Sequence, residues 1–372
     1  MRIVHMSTIH RALDVRIFYK ECVTLSQAGY EVHLLVANPP ETQLDGVYFH
    51  PIDKVKELPR LVRIWRRLAS TYQKAQSLQG NIYHFHDPEL IPVGILLKFL
   101  GNKVIYDVHE DTPWEALSLH KNNPIIAWLK FLIWTVMEGI AKLTLDGFIC
   151  VTPHIAAKFP SAKTTVVANL PLTVELQTAV NQTKADTSEN YIIYAGGITE
   201  IRGIKEMVGA MELLPTSLRG KLLLLGEFSS VNLQTQIEQM AGWEKVEFLG
   251  WQPREKLVQY LGKAQVGLVV FHPQTDHLAA LPNKLFEYMA AGLPIIASNF
   301  PLWQEIIQKI GCGLLVNPLE PQEIAQAMAY FLENPDMALA MGEKGQVAVK
   351  TKYNWEIESQ KLLQFYQQII NQ

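Results

Sequence analysis

Short β-branched runs alternate with helical segments along most of this 372-residue chain, and the alternation starts twice. Strands that alternate with crossover helices form parallel sheets, because parallel neighbours cannot be joined by a tight hairpin. The first series comprises the predicted strands Ile3–Met6, Glu31–Ala37, Val47–Ile52, Asn81–Phe85, Lys103–Val108 and Phe148–Val151. The second comprises Tyr191–Ala195, Lys221–Leu225, Val246–Leu249, Val266–Phe271, Pro294–Ala297 and Gly313–Val316. The sequence therefore predicts an α/β protein with two doubly wound, Rossmann-like parallel sheets.

The two series are separated by a polar stretch without periodicity, Asn181–Asn190, which is typical of a linker. A chain of this length is too long for one typical core. We expect a first domain over residues 1–180 and a second over residues 190–354. Ligands of such folds bind in the crevice at the carboxyl ends of the strands, so we expect a cleft between the domains to hold the site.

Composition narrows the class of protein. A content of 48% hydrophobic and 19% charged residues is typical of a soluble globular chain rather than a disordered one. Three cysteines far apart in sequence exclude a disulfide framework and indicate a reducing cytoplasm. The given sequence starts directly with the first predicted strand, and we expect no signal peptide. The apolar run Pro124–Met137 is interrupted by Lys130, so we expect a core or interfacial helix that is too short and too charged to span a bilayer.

The segment Leu281–Ser298 predicts a loop, a short helix and a buried strand. Pro282 and Asn283 begin the helix, and a glycine and a proline end it. Free N–H groups at a helix start attract phosphate, and Lys284 adds a full positive charge there. One turn later, Glu287 can accept two hydrogen bonds from a ribose diol. The alternative is an exposed ion pair between Lys284 and Glu287 on an ordinary helix.

The segment Tyr191–Lys205 predicts a strand, a glycine-containing loop and a helix start. Gly196 and Gly197 allow a close backbone approach, and Arg202 can donate two parallel hydrogen bonds to phosphate oxygens. Lys205 lies one turn further on and can reinforce Arg202. The alternative is a plain strand–helix turn with surface charges.

Acidic and imidazole side chains follow two predicted strands of the first series. His109 and three acids end one strand, and the alternatives there are ligand binding or a strand cap. His84 and His86 share one face of another strand, with Asp87 next to them. No third ligand at useful spacing supports a zinc site, and we favour a cleft-lining role for His86 and Asp87. After the first strand, His10, Asp14 and Arg16 either face the cleft or, for Arg16, cap the following helix.

Residues 54–74 carry seven basic side chains and one acid beside an apolar stripe. This basic amphipathic helix predicts either a solvated face on a core-packed helix or contact with an anionic membrane surface. Nucleic acid is a third interpretation, which a sequence pI near 6.4 and the lack of a binding motif argue against.

The Leu281–Ser298 and Tyr191–Lys205 segments together resemble the donor-site motifs of retaining glycosyltransferases of family 4 (glycosyl transferases group 1). Where family members carry a first glutamate, seven residues before Glu287, this chain has Ala279. Where they carry a lysine–glycine pair, it has Arg202–Gly203. The resemblance implies the two-domain GT-B fold, with a C-terminal helix of about residues 355–372 packing back on the first domain.

The resemblance also implies chemistry. The expected reaction moves a sugar from a UDP- or GDP-linked donor to a hydroxyl acceptor with retention, in glycan, glycolipid or natural-product biosynthesis. Arg202 and Lys284, with amides near Gly197 and Leu285, stabilise the departing diphosphate, so no metal or other cofactor is expected. By the resemblance, His109 is expected to face the donor sugar, and His10, Arg16, His86 and Asp87 are expected to lie on the acceptor side. The acceptor can be a sugar, a lipid-linked molecule or a small molecule. Two alternative functions remain open, a nucleotide-sugar epimerase of the same fold and a non-catalytic nucleotide-sugar binding module. We expect a cytoplasmic enzyme, either free or peripheral on the inner face of the membrane.

Overall fold

The computed structural model describes residues 1–40, 42–52, 59–119, 123–172, 189–278 and 280–372. They form two compact units, one of Met1–Asn169 with Glu356–Gln372 and the other of Leu170–Trp355. Most of the predicted linker lies outside the described residues, and its last residue, Asn190, begins a strand.

The first unit is built on an eight-stranded sheet with the order β3-β4-β2-β1-β5-β6-β7-β8. All neighbouring strands are parallel except β3 and β4, which form a short antiparallel pair that was not predicted. The strands are β1 (Arg2–Met6), β2 (Glu31–Val36), β3 (Gln43–Leu44), β4 (Val47–Pro51), β5 (Ile82–Phe85), β6 (Lys103–Val108), β7 (Gly147–Cys150) and β8 (Thr164–Val166). The central strands are buried along almost their whole length, as both faces of a covered parallel sheet require.

Helices connect these strands. A π-helical segment, Val15–Cys22, begins where the Asp14 carboxylate accepts hydrogen bonds from the amides of Arg16 and Ile17. It continues as α1 (Val23–Gln27) and is followed by α2 (Arg60–Ser77), α3 (Ile91–Phe99), α4 (Thr112–Leu119), α5 (Pro124–Thr144) and α6 (Pro153–Ala156). Ala75 of α2, Leu97 of α3 and Ala141 of α5 belong to one buried cluster, so these three helices cover the same face of the sheet.

The second unit contains a six-stranded, fully parallel sheet with the order β11-β10-β9-β12-β13-β14. Its strands are β9 (Asn190–Ala195), β10 (Gly220–Leu225), β11 (Val246–Gly250), β12 (Val266–Val269), β13 (Ile295–Ser298) and β14 (Gly313–Val316). All six strands predicted for this half of the chain are present. Its helices are α7 (Ile204–Leu213), α8 (Val231–Glu238), α9 (Arg254–Lys263), α10 (Thr275–Leu278), α11 (Asn283–Ala290), α12 (Pro301–Ile310), α13 (Pro321–Glu333) and α14 (Pro335–Thr351).

The last helix, α15 (Trp355–Asn371), belongs to the first unit apart from its first residue. Its Tyr366 hydroxyl lies 2.7 Å from His84 Nδ1 of β5. Phe365 and Ile369 pack over Gly147, where an added Cβ would come within 2.7 Å of the phenyl ring. The glycine at the start of β7 therefore lets the helix lie directly on the strand.

Helix α5 differs from the prediction made for its apolar run. The helix extends to Thr144, which gives 21 residues with a mean hydropathy of 1.5 in its most apolar window. By length and composition it is therefore able to cross a membrane, and the expectation that it was too short is wrong. It is also not a core helix, since only 17% of that window is buried.

Candidate functional site

The loop that follows β9 is shaped around two cations. Gly196 has φ of +134°, a conformation that side chains other than glycine rarely adopt. A Cβ on Gly196 would lie 2.8 Å from Lys284 Nζ, and one on Gly197 would lie 2.9 Å from Arg202 Nη1. The two glycines therefore leave the space that the lysine and arginine side chains occupy.

Lys284 is the second residue of α11, which begins at Asn283 as predicted. Only 8% of the residue is exposed, and its Nζ has no hydrogen-bond partner among the described residues. The Nζ lies 3.8 Å from the centroid of the Tyr194 ring and 5.1 Å from that of Phe271. Burial, followed by the charge of Arg202, holds the pKa of Lys284 well below its usual value. A buried ammonium with aromatic faces but no oxygen acceptor is suited to binding an anion.

Arg202 ends a 3-10 turn, Glu200–Arg202, which positions it beside the same loop. Its Nη1 donates to the Gly197 carbonyl at 3.4 Å, and its guanidinium lies 5.7 Å from the Phe271 ring. The structure brings Arg202 and Lys284 together. Lys205 instead donates to Glu200 at 2.8 Å and is not part of this pair, contrary to its predicted support of Arg202.

Two details of α11 correct the sequence-based expectations. The Leu285 amide donates to the Pro282 carbonyl at 3.0 Å, so this N–H is not free for a phosphate. Glu287 accepts a hydrogen bond from Arg254, so the alternative of a Lys284–Glu287 ion pair is wrong. Sequence reasoning missed Arg254, since it begins a separate helix and no motif surrounds it. Ala279 lies outside the described residues.

A hydrogen-bonded chain of imidazoles ends at His109 in the first unit. His109 Nε2 lies 2.7 Å from Asp107 Oδ2, and His86 Nδ1 lies 3.0 Å from the same oxygen. His86 Nε2 is 3.0 Å from His5 Nδ1. The His5 Nε2 atom is in turn 3.3 Å from the Tyr366 hydroxyl. Of the two groups at the end of β6, Asp107 is fully buried and His109 is partly exposed, so His109 is the one that can meet a substrate.

Arg16 does not face solvent, contrary to one of its predicted roles. It is 3% exposed and donates to both oxygens of Asp107, at 2.9 and 2.7 Å. It also donates to the Val167 carbonyl at 3.0 Å, which anchors the end of the first unit. Burial alone would raise the pKa of Asp107, but Arg16 and His109 outweigh it and hold this pKa well below its usual value.

His86 and Asp87 are both buried, so neither can contact an acceptor as predicted. The Asp87 carboxylate accepts from the Ser7 hydroxyl at 3.0 Å and holds the loop after β1. His10 on that loop lies 2.9 Å from Asp87 Oδ1 and keeps an exposed edge. Burial lowers the pKa of His10, but the Asp87 hydrogen bond and charge outweigh it and raise this pKa overall.

Two clusters in the described residues have the donor atoms for a metal ion, namely His5, Glu21, His84 and His86, and His86, Asp107 and His109. His5 and Glu21 are additional donor side chains that sequence spacing did not reveal. His5 meets the histidine pair because β1 and β5 run side by side, with His5 opposite His84, while Glu21 comes from the π-helical segment Val15–Cys22. Arg16 lies 3.1 Å from Glu21 and 2.7 Å from Asp107, so both clusters contain a carboxylate that is already paired with a guanidinium. Metal independence stays a prediction.

Comparison with known proteins bears on the class. Residues 177–348 match the family model for glycosyl transferases group 1. The chain is 26% identical over 187 residues to D-inositol 3-phosphate glycosyltransferase from Segniliparus rotundus, an alignment covering 49% of this chain and 40% of that protein. It is 24% identical over 189 residues to the putative colanic acid biosynthesis glycosyltransferase WcaL of Escherichia coli, covering 50% and 46%. The chain thus spans less than half the length of these relatives.

The fold comparison covers the whole chain. Sucrose-phosphate synthase from Thermosynechococcus elongatus superposes with a TM-score of 0.79 at 19% identity, covering 100% of this chain and 99% of the other. The Anabaena protein Alr3699/HepE, solved with UDP, gives 0.70 at 14% identity, covering 99% and 100%. The chain has the GT-B fold, and its second unit carries the match to glycosyl transferases group 1. The matched segment contains Gly196, Arg202, Lys284 and Glu287, whereas His109 lies outside it.

Proposed function

We propose that this protein is a glycosyltransferase that moves a sugar from a nucleotide-diphosphate donor, UDP- or GDP-linked, to an acceptor hydroxyl with retention and without a metal. The observation that carries the proposal is the buried Lys284 Nζ, which lacks a hydrogen-bond partner among the described residues and lies beside Arg202. Two like charges held together at the start of a helix and next to a glycine loop favour an anion of more than one charge. A diphosphate has that charge.

The diphosphate is also where the reaction needs positive charge. As the bond between sugar and phosphate breaks, negative charge grows on the leaving group, and fixed cations stabilise it without reorganising. Lys284 and Arg202 supply two positive charges, which is the role a divalent ion has in other transferases. The proposal of metal independence rests on these two side-chain cations taking the place of a metal ion.

Glu287 is proposed to hold the ribose of the nucleotide. Its carboxylate is 16% exposed and is oriented by the hydrogen bond from Arg254. A carboxylate held in this way keeps acceptor capacity for a diol. Arg254 is therefore a positioning residue for the nucleotide.

His109 is proposed to contact the transferred sugar. The Asp107 carboxylate accepts from its Nε2, so the other nitrogen, Nδ1, is the one that faces a substrate. An imidazole oriented by a buried carboxylate is suited to hydrogen bonding at a developing charge. The acceptor and pathway are proposed only as a sugar, lipid-linked or small-molecule hydroxyl in glycan, glycolipid or natural-product synthesis.

Thermal stabilisation by UDP, GDP and ADP, each with and without EDTA, tests the donor site. We expect one nucleoside diphosphate to raise the melting temperature equally in both conditions. Lys284→Met and Arg202→Met should each abolish most of that shift, while Lys205→Met, a control in a surface ion pair, keeps it. Equal shifts in all four proteins would refute the diphosphate site.

The reaction itself is tested by incubating the protein with the matching nucleotide sugar and a panel of acceptors. NMR of the product should show the anomeric configuration of the donor, and inversion would contradict the proposal. His109→Ala should abolish transfer but keep nucleotide binding, whereas His154→Ala, an exposed histidine outside the network, should keep both. None of the relatives described above is named as an epimerase, so that alternative is not favoured.

A further inference from the structure

Helix α5 presents a broad apolar face to solvent. Its buried residues, Ala127, Glu138 and Ala141, lie on one side. On the opposite side, nine apolar residues are at least 38% exposed: Ile125, Ile126, Trp128, Leu129, Leu132, Ile133, Val136, Ile140 and Leu143. Monomeric soluble proteins rarely leave such a contiguous apolar surface uncovered.

The apolar surface continues onto neighbouring elements. Leu96 and Phe99 of α3 and Leu100, which directly follows the helix, are 51%, 76% and 53% exposed, and their spacing places them on one side. Three tryptophans of the first unit are more than half exposed, Trp65 of α2, Trp114 of α4 and Trp128 of α5, and the last two pack against Phe131 of α5. Exposed tryptophan is enriched where a protein meets the headgroup region of a bilayer.

Charge on the three helices α2, α3 and α5 is almost all positive, although Lys98 of α3 is paired with Asp146 at 2.6 Å. Helices α2, α3 and α5 carry eight basic residues, of which five are on α2, one on α3 and two on α5. Their one acid is Glu138, which is 5% exposed and lies 3.6 Å from Lys142. On α5, Lys130 and Lys142 border the apolar face on its two sides, where long basic side chains can reach lipid phosphates.

We infer that the exposed face of α5 and α3 lies on an anionic membrane, with α5 in the plane of the interface and the basic residues of α2 beside it. The face thus extends the predicted membrane contact of residues 54–74, in which Lys54, Lys56 and Glu57 lie outside the described residues. Burial of apolar side chains supplies the attraction, and the arginines and lysines add selectivity for anionic lipid. The inference does not depend on the donor site.

Two other occupants of the face are less compatible with these observations. A second copy of the chain would bring the same basic borders together, and like charges at a contact oppose association. A transmembrane α5 would carry Glu138 into the hydrocarbon and give up the contacts of Ala127 and Ala141, both of which are costly.

Co-sedimentation with vesicles tests the inference. We expect the full chain to bind vesicles of phosphatidylglycerol and phosphatidylcholine, to bind phosphatidylcholine vesicles weakly, and to be released by salt or alkaline carbonate. The triple variant Leu129→Glu/Leu132→Glu/Val136→Glu changes three residues that are 57%, 58% and 49% exposed. Its affinity for anionic vesicles should fall roughly tenfold or more. The matched control Val231→Glu/Leu319→Glu/Val347→Glu replaces exposed residues of the second unit and should bind normally.

Both triple variants should keep the wild-type melting temperature and the nucleotide-induced shift, which separates this test from that of the donor site. Equal vesicle binding by the two variants would overturn the inference. So would a wild-type dimer in analytical ultracentrifugation that the α5 variant abolishes without a change in vesicle binding. Retention on vesicles after alkaline carbonate would show a spanning helix instead.

Discussion

Asp107 binds His109 and His86 through a single carboxylate oxygen, with Oδ2 lying 2.7 Å from His109 Nε2 and 3.0 Å from His86 Nδ1. Its other oxygen accepts from Arg16 at 2.7 Å. One buried carboxylate therefore fixes the ring of the exposed histidine and is itself fixed by a guanidinium. Hydrogen bonds of this kind set the tautomer of an imidazole.

Asp107→Asn should disturb His109 without touching the nucleotide. The amide can offer its nitrogen to His109, which reverses the hydrogen-bond direction and misorients the ring. We expect kcat for sugar transfer to fall by roughly 10- to 100-fold, with the dissociation constant of the nucleoside diphosphate unchanged. Steady-state kinetics and calorimetry check the two values. A loss of nucleotide binding would show that Asp107 acts through the fold instead.

Lys284→Met should separate stability from binding. The ammonium is buried and has no hydrogen-bond partner among the described residues, so an apolar side chain of similar length removes a desolvation cost. We expect the free energy of unfolding of the unliganded protein to be unchanged or higher. Binding of nucleoside diphosphate should weaken by about 1.5–3 kcal/mol, the usual contribution of a charged hydrogen bond. Denaturant titration and calorimetry measure the two effects, and a strongly destabilised variant would contradict the anion site.

Gly196→Ala should reduce both stability and nucleotide affinity. The residue has φ of +134°, and the new Cβ would lie 2.8 Å from Lys284 Nζ. We expect a loss of about 1 kcal/mol or more in the free energy of unfolding. Gly139→Ala is the matched control, because nothing lies within 4 Å of its Cβ and it is in the middle of α5. That control should be neutral or stabilising in the same urea titration.

Acid should destabilise the first unit through its buried histidines. Burial is the largest cause that lowers the pKa values of His5, His84 and His86 below 6.5. The unfolded chain therefore binds protons that the folded chain does not, so stability is fully present above about pH 6.5 and is lost as the pH falls. His10, whose pKa is raised, has the opposite dependence in this window.

The variant His84→Asn isolates one of these imidazoles. Below pH 6.5 its free energy of unfolding should fall less steeply than that of the wild type, by up to about 1.4 kcal/mol per pH unit. Urea titrations at several pH values from 5 to 8 give the slopes. Parallel slopes would mean that His84 titrates alike in the folded and unfolded chains.

Most strands were predictable because each is an apolar run between turn residues, and burial on both faces leaves that pattern in the sequence. The short strands β3 and β8 leave too few residues for a pattern. Two arrangements were not predictable from the sequence. One is the pairing of Glu287 with Arg254, and the other is the clustering of His5 and Glu21 around His84. Both depend on packing between elements distant in sequence. The hydrogen bond of the Leu285 amide depends on the exact geometry of the turn at the start of α11. The residue types in that turn do not determine this geometry.

The bond between Tyr366 and His84 joins residues 282 positions apart in the chain. During synthesis, the ribosome must make all of the second unit before α15 emerges. Until then, the amino-terminal sheet lacks its last helix and the Tyr366 hydroxyl of its histidine network. The second unit is translated, and becomes free to fold, before the first unit is complete. The order of maturation is thus reversed from the usual one, in which the earlier domain is finished first.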